Sequence, residues 1–307
     1  GHRLAGRDGL ILLSTTTTAP RRALGGFRPS GALMGVIPFF VYTTAFLLIP
    51  TIVVVVGAFI SDGSFSFGNL SALTAPACGT AMRNSLVLSA VTALAGGIIG
   101  AVLAYAVSTA APDGLLKRFV SSLSGVLAQF GGVALAFAFL AAFGREGMVT
   151  GWLDAVGLAP SSALWLYQWN KGLMLVYLYF QIPLMVIVFL PAVEGLKPQW
   201  REATQTLGGT TWTYWRRVGG PILFPSFVGA VLLLFTNAFS AYATAAALIT
   251  QASPLVPLQI GGTFNSEVIL GQENVGKAMA LAAVVVVAVV MVIYAWIDRR
   301  ASRWMSR

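Results

Sequence analysis

In this chain, chemistry would have to come from a handful of polar side chains set inside long apolar runs. Gln129, Gln181, Asn237, Ser240 and Tyr242 stand in such runs. Amide and hydroxyl groups can hold a polar solute or pair across helices, and they carry no charge at neutral pH. A denser group of polar residues is the segment KPQWREATQTLGGTTWTYWRRVGGP, residues 197–221, between two of the longest apolar runs. It contains one acid, Glu202, and the bases Lys197, Arg201, Arg216 and Arg217. Enzymatic chemistry has little to work with. No glycine-rich loop ends in Lys-Ser or Lys-Thr, so no phosphate cradle for ATP is expected in the chain itself. The one histidine, His2, lies in a polar N-terminal stretch, which leaves no Ser–His dyad within the apolar runs. Cys78 is the single cysteine, so no internal disulfide forms, and no His–Cys cluster is present to bind a metal. No cofactor and no metal are expected in this chain.

The elements that position these residues follow from composition. Hydrophobic residues make up 57% of the chain and charged residues 9%. A soluble domain carries about 25% charged residues, so lipid is the expected solvent. Six apolar runs are long enough to cross a hydrocarbon core of about 30 Å as helix. They cover residues 33–60, 84–110, 120–143, 172–193, 223–250 and 278–297. The last, AMALAAVVVVAVVMVIYAWI, would favour strand in water, but lipid leaves no partner for an isolated strand. The expected fold class is an all-α membrane protein of six transmembrane helices, with a structured cytoplasmic loop between the fourth and fifth. Residues 1–32 read as a cytoplasmic arm, 33–297 as the membrane domain and 298–307 as a basic cytoplasmic tail. The run 33–60 is too long for a signal-peptide core and reads as an uncleaved first helix.

The charges orient the chain. With the N-terminus in the cytoplasm, 15 of the 19 lysines and arginines fall inside, and only Arg83, Arg145, Lys171 and Lys277 fall outside. That split follows the positive-inside rule and places both termini in the cytoplasm. It also accounts for the net charge of +9 with no nucleic acid partner.

Within 197–221 the pattern is that of two short helices and a corner. Pro198 suits a first helical position. Trp200, Ala203, Thr204 and Leu207 fall on one helical face. Gly208 and Gly209 form a stop, Thr210 or Thr211 caps a second helix, and Gly219-Gly220-Pro221 is expected to break that helix before the next span. Two readings of this knob remain open from the residues alone: an interfacial loop, or a docking element for a soluble partner.

The segment resembles the cytoplasmic EAA loop of the permease subunits of bacterial type I ABC importers. The family pattern is Glu-Ala-Ala, three residues, Gly, nine residues, then Ile-x-Leu-Pro. Here Glu202-Ala203-Thr204 is followed by Gly208, and Val218-Gly219-Gly220-Pro221 occupies the later position. Thr for Ala, Val for Ile and Gly for Leu are the departures. RNSLVLSAVTALAGGIIGAVLAYAVS at 83–108 is similar to the opening of the same family's permease core, so the resemblance covers roughly 80–297. It implies that the loop is a coupling helix seated in a cleft of an ATP-hydrolysing subunit. Glu202 would then pair with a basic group, Ala203 would allow close approach, and Gly208 would make the corner. The implied assembly contains two ATP-binding subunits holding ATP and Mg, a second, similar permease and an external solute-binding protein, in the bacterial inner membrane. Within the family, the length, the short external loops and the character of 170–250 resemble the polyamine, iron and phosphonate branch more than the sugar permeases.

The principal rival is an ion-coupled carrier. Such a carrier needs an ionisable group within the membrane. The six runs contain none, and Lys171 and Glu194 only flank the fourth. A membrane scaffold without transport is a third reading. For the path itself, Gln129, Gln181, Asn237, Ser240 and Tyr242 are candidates, with interhelical hydrogen bonding as the alternative role of each. Trp165, Tyr177, Tyr179 and Phe180 either line that path or anchor the chain at the outer interface.

Overall fold

Long apolar sequence in lipid has one economical solution, helix, because every backbone group is then paired within its own segment. The computed structural model describes residues 31–61, 64–111, 114–157, 166–249, 254–265 and 273–305. Nearly all of these are helical. Six stretches are long and apolar enough to cross a membrane: Val36–Gly57, Pro76–Ser108, Gly132–Ala155, Asn170–Glu194, Thr211–Ser240 and Gly276–Ile297. The chain divides into two compact units at Pro50/Thr51. The expected arm, residues 1–32, lies almost wholly outside the described residues.

The first unit contains α1 (Gly31–Thr43) and a π-turn at Thr44–Leu48. Its described side chains, among them Phe39, Phe40, Tyr42 and Phe46, are exposed rings and aliphatics with no core of their own. The helix continues as α2 (Ile49–Gly57), which leads into the second unit.

The second unit begins at Thr51 within α2; after that helix come a small antiparallel ribbon, β1 (Ile60–Ser61) and β2 (Ser64–Phe65), then α3 (Gly68–Ser71). Its centre is α4 (Pro76–Ser108), which packs on α8 (Met174–Glu194) and α11 (Gly220–Ser240). Glycine permits this approach. A Cβ at Gly100 would lie 2.5 Å from Met185 Cβ and 2.8 Å from the Ile182 carbonyl oxygen, and one at Gly96 would lie 3.0 Å from Gln181 Cβ. Small residues at such crossings let helix backbones approach in lipid, where no hydrophobic force drives them together. Ala93, Ala104, Met185, Phe189, Leu223 and Leu234 fill one end of this three-helix core. Leu88, Leu135, Tyr177, Phe180, Ala238 and Leu258 fill the other.

Three boundaries differ from expectation. The second span begins at Pro76 rather than 84, so Arg83 lies on a helix rather than in a loop. The third, expected unbroken over 120–143, is two helices, α5 (Leu115–Gln129) and α6 (Gly132–Phe143), followed by α7 (Met148–Ala155). The chain breaks at Phe130–Gly131, and Gly132 has φ +69°, a value glycine adopts freely. The fifth, expected over 223–250, ends at Ser240. It resumes as α12 (Ala243–Leu248) after a break at Ala241–Tyr242. Both breaks fall inside apolar runs; the pair Gly131-Gly132 at the first was a local breaker signal that the expected span passed over. After α13 (Val256–Asn265), the last helix, α14 (Glu273–Met305), runs from the sixth span into the basic C-terminal stretch without a stop at 298.

Candidate functional site

The knob forms as its residue types dictate. Pro198 opens α9 (Pro198–Thr206), where a missing N–H costs nothing. Thr204 and Thr206 bond back to the carbonyls of Trp200 and Glu202 at 2.8 and 2.9 Å. Gly208 then takes φ +76°, the left-handed corner that ends a helix. Thr210 caps α10 (Thr211–Tyr214), its Oγ1 accepting the Thr213 N–H at 3.3 Å. Glu202, Ala203 and Gly208 are exposed and Thr204 is half-buried.

Gly219-Gly220-Pro221 does not break the helix, contrary to expectation. A π-turn at Trp215–Gly219 joins α10 to α11, and the helix runs from Thr211 to Ser240. Gly220 donates its N–H to the Trp215 carbonyl five residues back. Pro221 lacks an N–H and would crowd the carbonyl four residues before it in a regular helix; the wider π-turn makes room. Pro221 is therefore part of the continuous connection between knob and span.

One side of the knob is anchored and the other is open. Tyr214 is buried, and Trp215 packs edge-on against Tyr105 of α4 with ring centroids 5.1 Å apart. Lys117 of α5 forms an ion pair with Glu194 at the end of α8, just before the knob. On the open side, Leu207 is 87% exposed and Trp212 is 72% exposed, flanking the Gly208 corner. The sequence reading placed Leu207 on the helical face and passed over Trp212. Their signal was an apolar residue immediately before, and another soon after, a helix-stopping glycine pair.

The polar path candidates do not form one cluster. Gln181 is fully buried between α8 and α4, and its Nε2 donates to Thr92 Oγ1 at 2.7 Å. Thr92 in turn donates to the Leu88 carbonyl at 2.8 Å. Gln181 Oε1 and the nearby buried Ser89 Oγ have no hydrogen-bond partner. Gln181 is thus an interhelical contact in this conformation. Gln129 is exposed at the end of α5, beside the first break. Asn237, Ser240 and Tyr242 are exposed at and beside the second break, where Ser240 Oγ bonds the Thr236 carbonyl at 2.9 Å.

The two breaks lie against each other: a Cβ on Gly132 would sit 3.7 Å from Ala243 Cβ. Tyr177, buried on α8, donates its hydroxyl to the Ala241 carbonyl at 2.7 Å, satisfying an oxygen that the break frees. Tyr177 and Phe180 are core residues, and Tyr179 is half-buried against Phe139. Neither path-lining nor interfacial anchoring describes Tyr177. Trp165 lies outside the described residues. Asn84 and Ser85, from the segment similar to the permease-core opening, hold the start of α13. Asn84 donates to the Pro254 carbonyl at 3.1 Å, and Ser85 accepts the Val256 N–H at 2.9 Å. Among the described residues, no group of three His, Cys, Asp or Glu side chains is placed to hold a metal.

The family model described as "Binding-protein-dependent transport system inner membrane component" matches residues 96–307. The chain belongs to this family. The match takes in the knob, both broken spans and α8. This inner-membrane component is 26% identical over 172 residues to the sulfate transport system permease protein CysT of Escherichia coli, covering 55% of this chain and 58% of that protein. It is 27% identical over 183 residues to the molybdenum transport system permease protein ModB of Mycobacterium tuberculosis, covering 58% and 67%. Its fold matches a chain of the bacterial ABC transporter involved in import of the acidic polysaccharide alginate, with a TM-score of 0.65, 18% identity, and coverage of 90% and 96%. The expected resemblance to importer permeases and the six-helix fold both stand. The expected polyamine, iron and phosphonate branch finds no support in these relatives, whose names specify sulfate and molybdenum.

Proposed function

We propose that this chain is the transmembrane permease subunit of an ATP-driven importer, with ATP and Mg held by two separate ATP-binding subunits. The observation that carries this reading is the knob: an exposed corner, Leu207–Gly208, continuous through Thr211–Ser240 with a membrane span. A flexible loop would absorb a push from below, whereas a capped helix pair anchored at Tyr214 and Trp215 transmits it. Glu202, Ala203, Thr204 and Gly208 form the docking face, with Leu207 and Trp212 as its apolar contacts, and Pro221 belongs to the rod behind it. In the described spans acids occur only as Glu146, in the turn between α6 and α7, and as Asp154 and Glu194 near span ends, so no acid sits at mid-helix for an ion gradient to act on.

A second, similar permease completes the path, and an external binding protein delivers the solute. Both termini face the cytoplasm, as the charge distribution favours. Gln129, Asn237, Ser240 and Tyr242, gathered at the two breaks, are the side chains proposed to meet the solute, while Gln181 acts from behind them. Solutes such as oxyanions are favoured over a polyamine. No carboxylate stands beside either break in sequence to hold a cation, and the relatives include sulfate and molybdenum permeases.

Co-purification with an ATP-binding subunit tests the coupling role. Leu207→Asp, or Glu202→Lys with Gly208→Pro, is expected to lower recovery of that subunit and abolish binding-protein-stimulated ATP hydrolysis. An intact, stimulated complex in both variants would refute the reading. Uptake by this chain alone in proteoliposomes, with an ion gradient and no ATP, would establish the ion-coupled carrier instead.

A further inference from the structure

Immediately after α2 the chain builds an aromatic hairpin. Phe59 stacks on Phe65 with ring centroids 5.9 Å apart and planes at 7°. Phe67 meets both rings edge-on, at 5.9 Å from Phe59 and 5.3 Å from Phe65. Phe65 is 72% exposed and Phe67 64% exposed, which is unusual for three rings that have already found one another. The ribbon hydrogen bonds pair Ile60 with Phe65 and Ser61 with Ser64, and the Ser66 N–H reaches the Phe59 carbonyl at 2.9 Å. The described strands are therefore paired with each other on either side of residues 62–63, a condition for placing non-helical chain in a medium poor in water.

We propose that the Phe59–Phe65–Phe67 hairpin is a lipid anchor, lying in the boundary between headgroups and acyl chains at the end of the first span. Three observations choose lipid over a protein partner. Phe59 follows the end of the span, Gly57, by two residues, so its ring sits at the edge of the hydrocarbon. The exposed surface of the rings continues that of Ile52, Val53 and Val56 on the same run. Between Thr51 and Pro76 the sequence has one charged residue, Asp62, so seating this stretch at the lipid boundary desolvates little charge. Phenylalanine rings, with no polar group to keep in water, bury on the acyl side of that boundary and resist being drawn out. The inference is independent of the ATP-coupling reading and holds whichever face of the membrane the hairpin occupies.

Collision accessibility of a nitroxide tests it. The label is placed at Phe65→Cys in a Cys78→Ala background, with the full chain in vesicles of phosphatidylethanolamine and phosphatidylglycerol. Gln205→Cys on the exposed knob is the aqueous reference. Oxygen collisions are expected to exceed those of a nickel chelate severalfold at 65 and to fall below them at 205. Phe67→Cys gives the same readout should the first variant fold poorly. Nickel collisions equal to or above oxygen at both ring positions would overturn the proposal. So would a label that is mobile in vesicles and immobilised only when an external solute-binding protein is added, since that assigns the hairpin to a protein partner.

Discussion

Between α4 and α8 a carboxamide is enclosed with one of its two ends bonded. Gln181 Nε2 bonds Thr92 Oγ1, while Oε1 faces no donor. A buried polar group left without a partner costs about 1–3 kcal/mol, whereas replacing both partners by apolar groups of similar shape is near neutral. Thr92→Val alone should therefore lower the thermal unfolding temperature of the purified chain in detergent. Adding Gln181→Met should restore much of the loss. Additive losses in the double variant would show that the pair is uncoupled. Tyr177→Phe removes the hydroxyl that satisfies the Ala241 carbonyl, and hydrogen exchange at the N–H groups of 243–248 should quicken by up to about tenfold, the equivalent of roughly 1 kcal/mol. Unchanged exchange there would mean that the break is held by packing alone. At this scale the sequence revealed that polar groups lay in apolar runs but not how they were paired. Gln181 and Asn237 look alike in sequence, yet one is sealed and the other exposed, because only the register of α4 against α8 decides which partner is present.

Helices and turns were more legible where local chemistry writes the boundary. The knob could be read residue by residue because proline at a helix start, glycine at its end and threonine at a cap are local preferences. The breaks at 130–131 and 241–242 were passed over because they lie within apolar runs, although the first carries the glycine pair Gly131-Gly132; tertiary contact between Gly132 and Ala243 accompanies the interruption. Gly219-Gly220-Pro221 misled for the opposite reason: a strong local breaker was accommodated by a π-turn, which local rules seldom anticipate. The crossing of α4 and α8 offers a direct test of element packing. Gly100→Ala must displace Met185 or the backbone at Ile182 and should destabilise the chain by about 1–3 kcal/mol. Gly79→Ala, on the same helix with nothing within 4 Å of the new Cβ, should be neutral or stabilising. Thermal unfolding of the two variants side by side gives the comparison; equal shifts would contradict the close-packed crossing.

For the molecule as a whole, hydropathy and charge sufficed to count spans, because the bilayer imposes one rule on every segment. They did not show that the chain is interrupted at two places that lie against each other, just before the Gly132–Ala155 stretch and just after Thr211–Ser240. From Glu194 at one end of α8 to Tyr177 is 17 residues, about 25 Å of helix. In a hydrocarbon core about 30 Å thick, that places the Ala241 break, which Tyr177 satisfies, toward the margin opposite Glu194, where the Thr211–Ser240 stretch ends. Non-helical backbone that still touches hydrocarbon is tolerated only against protein or a water-filled cavity. Here Gln129, Phe130 and Tyr242 border the breaks and remain exposed on the single chain. Two copies of the path-forming surface facing each other would cover them. Synthesised without its companions, the chain would present the cell's membrane proteases with an open wound in the bilayer. Its half-life in a pulse-chase should lengthen severalfold when the other subunits are co-expressed, and an equally long-lived orphan would show that lipid alone can heal the gap. The same interruption that would let a solute through would thus also ration the amount of permease to the amount of complete transporter.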